Sequence, residues 1–134
     1  MPVRSSEERP IRSSEDIVGV RQLVRQRAVE LGFNIVDQTK IVTAASELAR
    51  NALTYGRGGQ ARIEALEEGT RRGLRLVFED QGPGIADVEL AMKDGYTTGD
   101  GLGLGLSGAR RLSNEFAIDS RVGEGTRVTI LRWR

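Results

Sequence analysis

Two carboxylates in this sequence sit where an acid could be held in place for chemistry rather than left to solvent. Asp80 closes the alternating run Leu74-Arg75-Leu76-Val77-Phe78-Glu79 and opens Asp80-Gln81-Gly82-Pro83-Gly84-Ile85. Gly82 and Gly84 allow backbone angles closed to other residues and let a ligand approach the main chain, while Pro83 stiffens the turn. A carboxylate at a strand end, beside backbone free of side chains, suits recognition of a flat polar ring. An ordinary turn with a solvated Asp is the competing reading of this hexapeptide taken alone. Glu47 belongs to a different kind of element: Glu47, Arg50, Asn51 and Thr54 recur at i, i+3, i+4 and i+7, one face of a helix. Ala44, Ala45, Ala49 and Ala52 keep that helix slim, so a ligand could approach it; a surface ion-paired face is the competing reading.

A third stretch, Gly101-Leu102-Gly103-Leu104-Gly105-Leu106, leads into a helix expected over Ser107 to Asn114. Gly103 to Gly108 satisfies G-x-G-x-x-G, but a polar loop precedes it where a dinucleotide fold needs a strand. No G-x-x-x-x-G-K-[ST] is present, so a P-loop is excluded as well. What remains is a glycine-rich helix entry whose free amides suit phosphate. A flexible linker is the alternative, although linkers rarely carry leucine at every other position.

Composition narrows the chemistry. With 134 residues the chain fits one domain, 1–134, large enough to bury roughly 68% of its unfolded surface. Cysteine and histidine are both absent, which removes disulfides, thiol nucleophiles, imidazole metal ligands, Ser-His-Asp chemistry and a phosphohistidine relay within the chain. No apolar run reaches the length of a membrane span, and Met1 to Arg12 lacks the apolar centre of a signal peptide, so a soluble cytoplasmic protein is expected. The net charge of +1 is unevenly spread: residues 79–100 carry −5 and residues 101–134 carry +3. The arginines are scattered among acids, and aromatics make up only 4% of the chain, which argues against nucleic acid as a partner.

The elements that must position these residues follow in order. Residues 1–9 are read as frayed or as a short edge strand running to Ile11. Ser13 or Ser14 with Glu15 and Asp16 starts a helix over 14–31, on which Ile17, Val20, Leu23, Val24, Ala28 and Leu31 make the apolar stripe. Ile17, Val20 and Leu23 either cover a sheet or form a homodimer seam. A second helix begins after Asn34 and ends near Tyr55-Gly56. Gln60 to Leu66 and Leu74 to Phe78 alternate as an antiparallel strand pair around a charged hairpin loop, Glu67 to Gly73. Asp87 to Met92 offers one or two helical turns, and the stretch from Asp94 to Gly105 is read as flexible. A strand through Phe116, Ile118 and Ser120, the turn Gly123-Glu124-Gly125-Thr126 and a last alternating strand complete the chain. The fold class expected is α+β (α/β in the broad sense): a two-layer sandwich with helices on one face of a mixed, mostly antiparallel sheet.

Four features in one order, Glu47…Asn51, Asp80-x-Gly82-x-Gly84, Gly101–Leu106 and Gly123-x-Gly125-Thr126, resemble the GHKL (Bergerat) ATP-binding fold shared by gyrase, Hsp90, histidine kinases and MutL. Ser46-Glu47-Leu48-Ala49-Arg50-Asn51, Glu79 to Ile85, Asp94-Gly95-Tyr96-Thr97-Thr98 and Gly123 to Thr126 look like one branch of it: the serine/threonine switch kinases of bacterial anti-sigma and stressosome pathways. The resemblance implies ATP and Mg²⁺ as cofactors. By it, Asp80 accepts from the adenine amino group with Thr126 in support, and Gly82 and Gly84 let base and ribose lie against the backbone. Asn51 ligates Mg²⁺, and Glu47 orients or deprotonates the attacking hydroxyl as the catalytic residue. Gly101, Gly103, Gly105 and Leu106 belong to a lid over the phosphates, with residues 94–105 as the flexible ATP lid. Arg50, Lys93, Arg110 and Ser107 are candidate phosphate contacts, against an ion pair for Arg50 and helix capping for Arg110 and Ser107. Tyr55 either packs or contacts ligand. The partners implied are a STAS-domain antagonist as phosphorylation substrate and a PP2C-type phosphatase. An anti-sigma factor kinase that binds a sigma factor, and a nucleotide-binding interaction module without catalysis, are the alternative readings.

Overall fold

The computed structural model describes residues 3–92 and 105–134, which form five strands and four helices in the order β1 (Val3–Ile11), α1 (Ser14–Glu30), α2 (Ile35–Thr54), β2 (Gly59–Glu68), β3 (Arg71–Asp80), α3 (Val88–Ala91), α4 (Gly105–Arg111), β4 (Glu115–Arg121) and β5 (Gly125–Trp133). Both long helices begin on side-chain caps. The Ser13 hydroxyl accepts from the Asp16 N–H while Asp16 accepts from the Arg12 N–H, and Asn34 accepts from the Asp37 N–H at 2.8 Å. Gly32, at φ +87°, turns the chain between α1 and α2, a conformation that costs glycine little.

The sheet runs β1-β2-β3-β5-β4, and every pairing among the described residues is antiparallel, so the expected mixture reduces to one strand sense of pairing. One face carries Ala61, Ile63, Ala65, Leu74, Leu76, Phe78, Val128 and Ile130, all buried under Val20, Leu23, Val24 and Ala28 of α1 and Ile41, Ala45, Leu48, Ala49 and Ala52 of α2. Val20 and Leu23 therefore cover the sheet of their own chain, with Ile17 packed half-buried beside them. The opposite face carries charged and aromatic side chains. Arg75 and Arg62 flank the buried Glu64, whose carboxyl Arg75 holds below the usual carboxylate range. Arg71 stacks 3.8 Å over the Trp133 ring, which itself lies across Gly73.

Residues 3–11 form a full edge strand, paired from Val3↔Leu66 to Ile11↔Gly59. The expected hairpin loop of Glu67 to Gly73 shrinks to Gly69-Thr70, because Glu67 pairs with Arg72 and Glu68 with Arg71 across the strands. Gly69, at φ +61°, supplies the backbone angle that so tight a turn needs. The helix expected over Asp87 to Met92 is a single turn, Val88–Ala91, and the one expected over Ser107 to Asn114 starts earlier, at Gly105, and ends at Arg111.

Candidate functional site

The site is built at one end of the sheet, where four strands finish in register. Gly59, Asp80, Thr126 and Ser120 stand side by side across β2, β3, β5 and β4. Each continues its strand's core-facing alternation: Asp80 follows Leu74, Leu76 and Phe78, Thr126 precedes Val128 and Ile130, and Ser120 follows Phe116 and Ile118. Polar groups thus replace the apolar stripe at the rim where α2 ends. Asp80 Oδ1 accepts from the Gly82 N–H at 2.9 Å, and the backbone N–H of Thr126, across the strand pair, also favours the charged carboxylate. Burial pushes the Asp80 carboxyl above its usual range, and these two donors offset only part of that.

The glycines of the site are required by the protein's own packing. A Cβ on Gly56, just past the C-terminus of α2, would overlap the Asp80 carboxylate, and one on Gly82 would lie 2.6 Å from the Gly56 Cα. Gly125, at φ +90°, lies against the Asp80 carbonyl, and Gly84, at φ +76°, against the Arg121 carbonyl. The Gly123 N–H donates to the Pro83 carbonyl at 2.8 Å, which ties the turn after β3 to the β4–β5 hairpin. The sequence supplied ligand contact as the reason for Gly82 and Gly84; the structure supplies close approach of backbone to backbone. Arg57 follows Gly56 at φ +61°, a left-handed conformation uncommon for a residue with a side chain.

On α2, Glu47 and Asn51 are half-buried and Arg50 is exposed. Arg50 Nη1 donates to Glu47 Oε1 at 3.1 Å, and the pair lies in water-accessible surroundings where such a bridge contributes little to stability. The Asn51 carbonyl accepts from the N–H groups of both Tyr55 and Gly56, so the helix turn that carries Asn51 also places Gly56 against Asp80. Tyr55 is the C-cap of α2 and is partly exposed.

Ser107 lies inside the first turn of α4, which begins at Gly105, so it does not cap that helix. It is buried, and among the described residues its hydroxyl finds no hydrogen-bond partner. Leu106 packs half-buried against the core, and Arg110 lies exposed beside a hollow of about 690 Å³ between α3, α4 and β4. A smaller cleft, about 270 Å³, reaches Asp80, Gly125 and Thr126 from the opposite face of the sheet, where Glu79, Asp119, Arg121 and Arg127 line it. Lys93, Gly101 and Gly103, and the expected flexible lid from residue 94 to 104, lie outside the described residues.

Sequence reasoning missed Gly56 and Ser120. Gly56 looked like an ordinary helix stop. Ser120 ends an apolar stripe in which parity, the only available signal, places it beside Thr126.

Comparison with known proteins assigns this architecture. Residues 36–134 match the histidine kinase-, DNA gyrase B- and HSP90-like ATPase family, a span that contains every feature of the site. The chain belongs to this family. It is similar to serine/threonine-protein kinase RsbT of Bacillus subtilis, with 50% identity over 88% of this chain and 89% of that one. It is 32% identical to an anti-sigma F factor of Clostridium kluyveri over 74% of this chain and 72% of the relative. Among solved structures, the RsbU and RsbW domains of Rv1364c from Mycobacterium tuberculosis share the fold at TM-score 0.64 and 22% identity, covering 97% of this chain and 33% of that longer one. The mycobacterial sensor histidine kinase MprB does so at TM-score 0.58 and 22% identity, covering 96% of this chain and 97% of that one.

Proposed function

We propose that this protein is an ATP-dependent serine/threonine kinase acting on a small partner protein, a STAS-domain antagonist, and that once released from it the kinase activates a PP2C-type phosphatase. The observation that carries the nucleotide reading is the half-buried Asp80 carboxylate, held at a sheet end by the Gly82 N–H with lone pairs left for a ligand. The 50% identity to a serine/threonine-protein kinase supports transfer to a hydroxyl rather than hydrolysis alone.

In this reading Asp80 accepts from the exocyclic amine of adenine and Thr126 lies beside the ring edge. Glu47, one helical turn before Asn51, orients the Ser or Thr hydroxyl of the partner and takes its proton as the γ-phosphoryl group is transferred. Gly101, Gly103 and Gly105 are the candidate backbone contacts to the phosphates, and the Ser107 hydroxyl, which finds no partner among the described residues, is a candidate donor to them. Arg50 and Lys93 are further candidates for phosphate contact. Among the described residues no group of three acidic side chains could cage a cation by itself. Asn51 contributes a single hard oxygen, which fits a Mg²⁺ ion carried largely by phosphate and water. Bound there, Mg²⁺ would neutralise charge on the β- and γ-phosphates. No helix among the described residues is long and apolar enough to cross a membrane, and a cytoplasmic setting is part of the proposal.

The test is phosphate transfer from MgATP to a STAS-domain protein by the wild type and by Glu47→Ala. A phosphorylated Ser or Thr that depends on Glu47 supports the proposal, and equal transfer by both proteins removes Glu47 from the chemistry. The second reading, sequestration of a sigma factor, is favoured by the 32% identity to an anti-sigma F factor and predicts a stable complex with a sigma factor in the presence of nucleotide.

A further inference from the structure

Ser120 stands at the end of the site row, one strand beyond Thr126, and its hydroxyl meets three groups from two other parts of the chain. It accepts from the Ile85 N–H at 2.8 Å, lies 2.7 Å from Thr126 Oγ1 and lies 3.3 Å from the Gly125 carbonyl. A hydroxyl has one proton and two acceptor lone pairs. With one lone pair taken by Ile85, the Ser120 proton goes either to Thr126 or to Gly125, and that choice fixes what Thr126 offers its surroundings. Either hydroxyl can donate across the 2.7 Å pair, and a ligand that offers Thr126 an acceptor selects the arrangement in which Ser120 donates to Thr126 and gives up its longer contact, 3.3 Å, to the Gly125 carbonyl. When Ser120 donates to Thr126, the Thr126 proton is free to point away from Ser120, and Thr126 acts as a donor beside the Asp80 acceptor.

An acceptor beside a donor is the complement of the adenine edge, which presents an amine next to a ring nitrogen acceptor. Guanine presents the reverse, a carbonyl oxygen next to a ring N–H. We propose that Ser120 is a positioning residue for base selection: it orients the Thr126 hydroxyl as a donor and fastens the Gly82–Ile85 turn to the β4–β5 hairpin, so that Asp80 and Thr126 together read adenine. This rests on the reading of the Asp80 cleft as a nucleotide site. Ser120 touches no ligand in this account; it acts through Thr126 and through the Ile85 amide.

The experiment is calorimetric titration of ATP and GTP, each with Mg²⁺, into the wild type, Ser120→Ala, Ser120→Thr, Thr126→Val and the double variant Ser120→Ala/Thr126→Val. Ser120→Ala leaves Thr126 without its orienting partner and the Ile85 amide unpaired. ATP affinity then falls by about tenfold while GTP affinity changes less, so that discrimination narrows. Ser120→Thr keeps the hydroxyl and restores discrimination, which a role in mere packing would not. Once Thr126 is Val, loss of Ser120 narrows discrimination no further. Wild type that prefers ATP, with a folded Ser120→Ala of unchanged preference, overturns the inference and leaves the nucleotide site standing. If Ser120→Ala fails to fold, a Thr126→Val protein with wild-type discrimination overturns it instead. Wild type that binds neither nucleotide overturns both the inference and the reading on which it rests.

Discussion

Replacing Asp80 by Asn separates the needs of the ligand from the needs of the fold. The two side chains have nearly the same shape, and Asn can keep its oxygen on the Gly82 N–H, where Asp80 Oδ1 sits at 2.9 Å. Its NH₂ then occupies the other carboxylate position and faces the adenine amine, donor against donor. Flipping the amide moves the clash to the Gly82 N–H without removing it. A hydrogen bond to a charged group contributes about 1.5–3 kcal/mol, so ATP affinity should fall roughly 10- to 100-fold. The pH dependence of stability should change as well. The folded-state pKa of Asp80 is raised above its ordinary value of 3.8, chiefly by burial. Between those two pKa values the folded state holds more protons than the unfolded one, so the wild type loses stability as pH rises through that window. A neutral amide has no such loss, although its NH₂ faces one of the two backbone N–H groups, so the stability of Asp80→Asn relative to the wild type should rise with pH through that window. Calorimetry with MgATP and urea unfolding across that pH range measure the two effects. An Asp80→Asn protein with wild-type ATP affinity, or one whose stability relative to the wild type does not rise with pH in the absence of nucleotide, refutes the reasoning.

Three further outcomes follow from the same geometry. Glu47→Ala should bind MgATP within a few-fold of wild type yet slow phosphotransfer by about 10²–10⁴-fold, read by single-turnover kinetics with excess enzyme. Gly56→Ala places a methyl group on the Asp80 carboxylate; it should destabilise the fold by about 1–3 kcal/mol in urea melts and weaken ATP binding, whereas Gly19→Ala, which meets nothing within 4 Å, should do neither. Glu64 is lowered from 4.5 mainly by Arg75, so its stabilisation is fully present above about pH 4.5 and is lost as pH falls through the lowered value. Glu64→Gln should therefore reduce stability at neutral pH and converge with the wild type in acid, a difference visible in unfolding curves taken across that range.

Much of the site was legible because its signals are local. The parity of Leu74, Leu76 and Phe78 carries Asp80 onto the core-facing side of β3, and helical spacing groups Glu47 with Asn51. The caps Ser13 and Asn34 announced the starts of α1 and α2. What escaped is set by contacts between distant residues. Gly56 matters because of Asp80, and Ser120 because of Ile85, 35 residues away. No pattern within either segment reveals those meetings. The hairpin length failed for a related reason: Glu67, Glu68, Arg71 and Arg72 read as a solvated loop until register shows them facing one another as opposite charges. Gly82 and Gly84 stand out in the sequence as glycines that a turn requires, but the physical reason lies in the Gly56 backbone and the Arg121 carbonyl.

The central claim is transfer of a phosphoryl group from ATP to a protein hydroxyl, and mass spectrometry of the partner measures it directly. A STAS-domain protein incubated with this kinase and MgATP should gain one phosphate on a Ser or Thr, at a rate that collapses for Glu47→Ala and Asp80→Asn alike. Binding of MgATP with no phosphate gained by any STAS-domain protein tested, while a stable complex forms with a sigma factor or a phosphatase, would contradict the kinase account and leave an ATP-dependent binding module.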